Sequence, residues 1–330
     1  MKRKSKKTMA KQHKVVLKVN SVNFNTGYLK SLMLAVGLIL LFTIPFYFIL
    51  GINTAKNRYI SHIPNMVKSN SGKIAATPAA LSNQKATPSA IPVNSYSKGT
   101  PAPQNYSGYC LNVPVLVYHH IQPEATARQL GQTSLTVDNG IFAQQMAYLA
   151  SNGYNAIWAS DLVNALRNHT PLPPKSVVIT MDDGYADNEI YALPVLEQYH
   201  LKANLMLASG LVDSNPDMLT WSEVEQMKNS GLYYFTNHTW SHWPVSEGPQ
   251  SKINFEIDTA QSEIAQHTGQ TVNIFTYPYG EFNNNAIQTL ISRGYIGGFS
   301  TIPGTYQCES FIMTLHRTRI GNAPLSEYGL

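Results

Sequence analysis

Two adjacent acids and a pair of histidines are the residues of this chain best suited to catalysis. Asp182 and Asp183 close the apolar run at 177–180, and His238 and His242 follow some fifty residues later. The short, β-branched run is typical of a buried strand. Because side-chain alternation breaks down at the glycine turn that follows, both carboxylates can reach one pocket. One carboxylate and two imidazoles, with a position left for water, form a ligand set for divalent-metal hydrolysis.

Each motif also has a simpler explanation. An Asp-Asp-Gly segment is often only a turn, and a His-x-x-x-His pair alone rarely binds a metal. Both motifs follow separate predicted strands, however, and unpaired charges at buried strand ends are costly, so their combination favours metal-dependent hydrolysis. An iron oxygenase with two histidines and one carboxylate is an alternative, but its usual all-β scaffold does not fit the helical segments of this chain.

From about residue 108, strand-like runs alternate with segments of helical spacing. The strand-like runs lie at 113–118, 177–180, 203–207, 232–236, 272–276, 298–300 and 312–320. The helical segments lie at 141–150, 160–166, 190–199, 220–230, 255–267 and 284–293. Such alternation predicts parallel strands joined by helices, with the candidate residues at the carboxyl ends of the strands. We therefore expect an α/β fold, a deformed TIM-like (β/α) barrel. An open doubly wound sheet is the alternative, but no glycine-rich phosphate loop follows an early strand.

Charge divides the chain into two unlike parts. All 19 acidic residues lie from Glu124 onward, whereas residues 1–106 contain 15 of the 24 Lys and Arg and no acid. The net charge of +5 is the sum of a basic and an acidic part. Because the predicted folded part is acidic and has no basic stripe, nucleic acid is not an expected partner.

The basic part contains a predicted membrane anchor. Residues 31–51 carry no charge and would span about 31 Å as a helix, and the basic tail at 1–30 places the N-terminus in the cytoplasm. A cleaved signal peptide is the rival interpretation, although its apolar region is normally shorter. Residues 52–107 have the composition of a disordered extracellular linker, whose six positive charges could contact anionic wall polymers. The expected location is the cell membrane, with the domain at 108–330 outside.

The two cysteines lie at opposite ends of this predicted domain. Cys110 and Cys308 are both on the extracellular side of the predicted anchor, where a disulfide is permitted. A bridge would stabilise the fold by at most about 5 kcal/mol of chain entropy. Two unpaired thiols are equally compatible with the sequence.

Three segments resemble, in order, the motifs of the polysaccharide deacetylases, carbohydrate esterase family 4. They are Thr-Met-Asp-Asp-Gly-Tyr at 180–185, His-Thr-Trp-Ser-His at 238–242 and Tyr-Pro-Tyr-Gly at 277–280. The resemblance covers roughly residues 108–322 and implies a deformed (β/α) barrel that removes N- or O-acetyl groups from sugars. The third motif and Val-Tyr-His-His-Ile at 117–121 look closest to the branch that acts on poly-N-acetylglucosamine.

The resemblance also implies a division of roles around the metal. Carried over, Asp182 is the catalytic base, and the metal ligands are Asp183, His238 and His242. The implied cofactor is a divalent metal, with zinc expected and cobalt, nickel or manganese as alternatives. Metal coordination lowers the pKa of a bound water towards 7, so the uncoordinated base can accept a proton as that water attacks an acetyl carbonyl.

Two further roles and one departure follow from the same comparison. The resemblance assigns the oxyanion donor to the backbone N–H of Tyr279 and the general acid to His316. The family often has an arginine that orients the base two residues before the proline of its third motif. Thr276 occupies that position, and Arg317 or Arg319 could supply the charge instead.

Aromatic and histidine side chains near the motifs are candidates for substrate contact. We expect an acetyl or sugar pocket to include Tyr185, Trp240 and Trp243, because aromatic faces pack on sugar rings. Ordinary packing in the core is the alternative role for these side chains. His119 and His120 could line the pocket or serve as hydrogen-bonding residues at a strand end.

These observations predict a membrane-tethered, metal-dependent hydrolase that removes N-acetyl groups from N-acetylglucosamine residues of a cell-wall or extracellular polysaccharide. The polysaccharide would be peptidoglycan or poly-N-acetylglucosamine. Two alternatives are an O-acetyl polysaccharide esterase and a catalytically silent wall-binding module, for which the missing motif arginine at Thr276 is the best support.

Overall fold

The computed structural model describes residues 106–330. The predicted tail (1–30) and anchor (31–51) lie outside the described residues, as does the predicted linker (52–107) apart from its last two residues. Within the described part, no helix combines the length and apolarity needed to cross a bilayer.

The described residues form α/β elements in the predicted alternation. The strands are β1 Cys110–Asn112, β2 Val115–Tyr118, β3 His120–Gln122, β4 Thr136–Asp138, β5 Asn155–Ile157, β6 Ser176–Asp183, β7 Ala203–Leu207, β8 Tyr233–Asn237, β9 Ile274–Thr276, β10 Gly297–Phe299, β11 Tyr306–Cys308 and β12 Thr318–Arg319. The helices are α1 Glu124–Leu130, α2 Asn139–Ser151, α3 Ala159–Asn168, α4 Leu193–Tyr199, α5 Trp221–Asn229, α6 Gln250–Thr268 and α7 Asn284–Ser292.

The fold is built around one parallel sheet. Its strand order is β10-β9-β8-β7-β6-β2-β12, and β5 pairs with the first half of β6. The segment before β12 also hydrogen-bonds to β10: the Leu315 N–H donates to the Gly298 carbonyl at 2.8 Å, and the Ser300 N–H donates to the Leu315 carbonyl at 2.9 Å. The sheet therefore curls round so that its two edges approach each other, which fits the predicted (β/α) barrel-like fold.

Strand periodicity divides the core between the two faces of this sheet. Along β6, Val177, Ile179 and Met181 pack in one buried cluster with the outer helices, whereas Val178 packs in another with α3. This alternation is the period of two that a pleated strand imposes. Because β6 is buried on both faces, its sequence is a continuous apolar run until it reaches the two acids.

The predicted strand at 312–320 is much shorter in the structure. Only Thr318–Arg319 forms a ladder, with β2. A 3₁₀ turn at Glu309–Phe311 comes first, and the Thr314 N–H donates to the Phe311 carbonyl at 2.8 Å. Local turn bonds thus replace the ladder that a regular strand would need.

A disulfide joins the two ends of the domain. Cys110 and Cys308 are bonded and lie opposite each other in the antiparallel pair β1–β11. The sequence alone was compatible with either a disulfide or two free thiols. In the structure, the pairing of the two strands brings the cysteines together and they form the disulfide.

Candidate active site

Three predicted ligands converge at the carboxyl ends of β6 and β8, the strands on either side of β7. Asp183 is the last residue of β6, and His238 directly follows β8. Asp183 Oδ1 lies 3.4 Å from His238 Nε2 and 3.2 Å from His242 Nε2. One ligand atom from each residue lies within 4.8 Å of the other two. The structure therefore brings Asp183, His238 and His242 together.

The chemistry of this cluster fits a divalent cation. Asp183 Oδ1 is buried without a hydrogen-bond partner, a costly state that a cation would relieve. Burial alone would raise the pKa of Asp183, but its interaction with His238 and the charges of His119 and His242 hold that pKa well below its usual value. The ligand stays ionised, as metal binding requires.

The tautomer of the first histidine suits the same role. His238 Nδ1 lies 2.8 Å from the Thr276 carbonyl oxygen. Since a carbonyl only accepts, Nδ1 must carry the proton, and the lone pair of Nε2 faces Asp183. This is the usual arrangement of a metal-binding histidine. Thr276, where the family often has arginine, thus contributes its backbone to the site.

A buried glutamate holds the loop that carries the second histidine. Glu256, on α6, has no exposed surface. Its carboxylate accepts from the Ser241 N–H at 2.7 Å, from Ser241 Oγ at 2.6 Å and from Lys252 Nζ at 2.6 Å. The loop also needs left-handed backbone at Thr239 and His242, with φ of 67° and 59°. Glu256 stabilises this strained turn, a role that the sequence pattern did not reveal.

The predicted base lies beside the cluster but is bound differently. Asp182 is buried, and its Oδ1 accepts from Arg317 Nη1 at 2.7 Å. Arg317 is itself buried; its Nε donates to the Ser300 carbonyl at 2.8 Å, and its Nη1 lies 3.3 Å from Thr180 Oγ1. Burial alone would raise the pKa of Asp182, but the charge and hydrogen bond of Arg317, together with the charges of His119 and His238, outweigh burial and the pKa is lowered. Arg317 thus takes the place of the arginine absent at Thr276.

His119, which is outside the ligand set, also interacts electrostatically with both acids. Tyr118 pairs with Met181 across β2 and β6, so His119 comes next to Asp182. Burial lowers the pKa of His119, and the charges of Asp182 and Asp183 oppose that change. From the sequence, His119 was expected either to line the pocket or to serve as a hydrogen-bonding residue at a strand end. The available signal was its position at the end of the strand beside β6.

The assignment of the general acid to His316 must be corrected, because the structure does not bring this side chain to the cluster. The His316 ring stacks on Phe311, with centroids 4.6 Å apart, and meets Tyr106 edge-on at 5.8 Å. Neighbouring residues of an extended segment point to opposite faces, and Arg317 points to Asp182. His316 therefore faces away from the acids.

The predicted substrate residues occupy three different environments. Tyr279 lies in a 3₁₀ turn at φ 58°, and its ring meets that of His242 edge-on at 4.5 Å. Tyr185 stacks on His120 at 3.6 Å; burial and the charge of Asp183 raise its pKa. Trp240 instead packs against the core and over Gly210, where an added Cβ would lie 2.5 Å from its ring. Tyr279 and Tyr185 adjoin the cluster, whereas Trp240 supports the loop behind it.

The geometry can be compared with known proteins. The polysaccharide deacetylase family model matches residues 169–297, a span that contains Asp182, Asp183 and both histidine ligands. Residues 169–297 therefore match the polysaccharide deacetylase family.

Relatives of this part of the chain have low sequence identity, and their names agree with the family match. The protein YxkH of Bacillus subtilis (strain 168) is 27% identical over 208 residues, which cover 63% of this chain and 71% of that protein. The poly-beta-1,6-N-acetyl-D-glucosamine N-deacetylase of Escherichia coli (strain K12) is 25% identical over 248 residues, 63% of this chain but only 36% of that enzyme.

A solved structure shows the same fold. The deacetylase PplD of Streptococcus pyogenes, in complex with acetate, aligns with a TM-score of 0.59 and 26% identity. The alignment covers 64% of this chain and 93% of that one. The aligned part of this chain therefore corresponds in fold to nearly the whole of that structure.

Proposed function

We propose that this domain removes N-acetyl groups from N-acetylglucosamine residues of a cell-wall or extracellular polysaccharide, using a divalent metal. The observation that carries the proposal is the buried Asp182–Arg317 pair beside the cluster Asp183, His238 and His242. A metal-dependent hydrolase needs this combination of an ionised, uncoordinated base and a three-ligand site.

A cation bound by Asp183, His238 and His242 would lower the pKa of a coordinated water and polarise the acetyl carbonyl. Zinc suits a set of two imidazoles and one carboxylate. Asp182, kept ionised by Arg317, accepts the proton of the attacking water. The backbone N–H of Tyr279, on the turn beside His242, is our candidate donor to the developing oxyanion.

His119 is the better candidate for the general acid. An amine leaves an amide only when it gains a proton, and a side chain near both carboxylates can supply it. His119 lies at the end of β2 next to Asp182, whereas His316 is stacked between other rings away from the acids. The proton would pass from the His119 imidazole to the nitrogen of the departing glucosamine.

The choice of polymer rests on the relatives. The Escherichia coli relative acts, by its name, on poly-beta-1,6-N-acetyl-D-glucosamine. Peptidoglycan is the second candidate polymer, because it contains the same acetylated sugar. The alternative of a silent wall-binding module loses its best support, because Arg317 supplies the cation missing at Thr276.

We further propose that the domain works outside the cell membrane. The apolar segment at 31–51, preceded by nine Lys and Arg, would anchor the chain with its N-terminus inside. The linker at 52–107 would then extend the domain towards anionic wall polymers. The disulfide between Cys110 and Cys308 supports this location, because disulfides form and persist in oxidising compartments.

The central experiment measures acetate release from poly-N-acetylglucosamine and from peptidoglycan, with and without chelator. Release from at least one polymer should cease with chelator and return when zinc is added. Asp182→Asn should lose turnover yet retain the metal, because the ligands remain. Acetate release that is insensitive to chelator, or full activity of Asp182→Asn, would refute the mechanism. Release from O-acetylated xylan alone would favour the esterase alternative.

A pair of histidine variants tests the general acid. His119→Ala should lower kcat by about 10² to 10⁴, while His316→Ala should retain kcat if it still folds. Melting curves of both variants provide the folding control. A large loss of kcat in well-folded His316→Ala, with normal kcat in His119→Ala, would restore the assignment made from the sequence.

A further inference from the structure

Two exposed aromatic rings lie beside the histidine loop, residues 238–242. Trp243 directly follows His242 and is 37% exposed, and Phe255 on α6 is 46% exposed. Of the large apolar side chains exposed in the described part of the chain, these two and Tyr279 surround this loop. Exposed apolar groups that cluster beside a functional site commonly mark a binding surface.

Both rings are held in place. Trp243 Nε1 donates to the Glu247 carbonyl at 3.2 Å. Lys252 Nζ lies between the rings, 5.3 Å from the centroid of Trp243 and 5.4 Å from that of Phe255. Phe255 also meets Trp240 edge-on at 5.3 Å. We call Trp243, Phe255 and Lys252 the aromatic platform. Its rings are ordered before any ligand arrives, which lowers the entropy cost of binding.

The charge of the platform points to a neutral ligand. Lys252 Nζ lies 2.6 Å from the buried carboxylate of Glu256, so its positive charge is already matched. The surface then presents ring faces and the partly exposed Lys252 ammonium, whose charge is paired with a buried carboxylate. A pyranose ring offers an apolar C–H face and a rim of hydroxyl groups. It can cover an aromatic face and keep its polar groups in water or near Lys252. An anionic polymer would gain little from this surface, because the charge of Lys252 is already paired.

We propose that the aromatic platform binds a sugar residue of the polysaccharide next to the residue whose acetyl group is removed. This inference rests on the proposed function, since the platform adjoins the histidine loop of that site. Trp243 directly follows the ligand His242, so a polymer whose acetyl group reaches the metal cluster has its neighbouring sugar residues within reach of this surface. The platform therefore gives the enzyme a preference for polymer over short fragments.

The test compares KM for N-acetylglucosamine oligomers from two to six residues long. Trp243→Ala and Phe255→Ala should each raise KM for the hexamer about twofold to tenfold, the range for one aromatic contact. KM for the dimer should change less. Phe255→Leu separates the ring face from packing, because leucine still covers Trp240. Tyr306→Ala is the matched control, since Tyr306 is an exposed aromatic residue on β11.

A binding measurement separates this inference from the proposed function. Calorimetry with Asp182→Asn protein reports the Kd of the hexamer without turnover, and the platform substitutions are added to that background. If they weaken hexamer binding while no variant or wild type releases acetate, the platform stands and the proposed function fails. If acetate is released but Kd and the length dependence of KM match those of Tyr306→Ala, the platform is refuted. Hexamer binding too weak to measure in the Asp182→Asn protein would refute it as well.

Discussion

Replacing Arg317 with methionine should damage both stability and catalysis, because this residue carries the charge that keeps Asp182 ionised. Arg317 and Asp182 have side chains that are 1% and 3% exposed, and their atoms lie 2.7 Å apart. Methionine fills a similar volume but leaves the carboxylate buried without its partner. It also removes the donor to the Ser300 carbonyl.

The magnitude follows from the burial. Breaking one partner of a buried ion pair costs about 3–5 kcal/mol, much of it the penalty of an uncompensated charge. For a domain of this size, that loss lowers Tm by about 6–20 °C. The same change should reduce acetate release about 100-fold, because Asp182 loses the group that orients it and keeps it ionised. Arg317→Lys should be intermediate, since an ammonium lacks the fork that contacts Asp182 and Ser300 together.

Urea unfolding monitored by circular dichroism, in a double-mutant cycle with Asp182→Asn, measures the coupling directly. The double variant should be more stable than the sum of the single losses predicts, by about 2 kcal/mol or more, because it contains no unpaired buried carboxylate. Arg128→Met is the surface control. Arg128 forms an exposed pair with Glu124, and its replacement should leave the unfolding curve unchanged.

Additivity within about 0.5 kcal/mol would refute this reasoning, because it would mean that the two side chains do not interact in solution. Wild-type acetate release by Arg317→Met would separately refute the claim that Arg317 orients the base.

Three further changes test the groups that hold the site together. Burial alone would raise the pKa of Glu256, but its interactions with Lys252 and Ser241 together outweigh burial, and the pKa lies below the reference value of 4.5. The carboxylate therefore stabilises the fold fully above that pH and progressively less as pH falls. Glu256→Gln should flatten the acid side of a stability profile from urea unfolding. Replacing Cys110 and Cys308 together with serine should lower the free energy of unfolding by about 2–5 kcal/mol, measured by the same method without reductant. Asp183→Ala should weaken zinc binding by more than about 100-fold in calorimetry, because it removes a direct ligand.

Each of these expectations has a contrary outcome. An unchanged pH profile for Glu256→Gln would mean that this carboxylate is not selectively stabilised in the folded state. Equal stability of the serine variant and the oxidised wild type would show that the bridge does not constrain the domain. Tight stoichiometric zinc binding by Asp183→Ala would place the metal elsewhere.

Much of the fold was predictable from local sequence. The predicted strand at 203–207 matches β7, and the capping box of Thr220 and Glu223 begins α5 as expected. The β-branched run before Asp182 forms β6. These elements follow from period, capping and apolar content, which act over a few residues and so can be seen in the sequence.

The positions that the sequence missed depend on strand pairing. His119 follows one strand-like run and His316 lies within another. No local sequence rule shows which of the two faces the acids. The register of β2 on β6 brings His119 beside Asp182. Turn bonds at 309–314 replace the start of the predicted strand, and Arg317, rather than His316, points towards the acids.

By itself, the sequence determined the alternating elements, the two charge regions and the types of residue that could bind a metal. Those properties reside in side-chain chemistry and short-range geometry. Only the tertiary structure decided which cation pairs with Asp182, which histidine faces it and how Glu256 holds the loop before Trp243. It also decided that Cys110 bonds to Cys308. These contacts join residues far apart in the chain, and their distances depend on how the sheet curls and on which face each side chain points to.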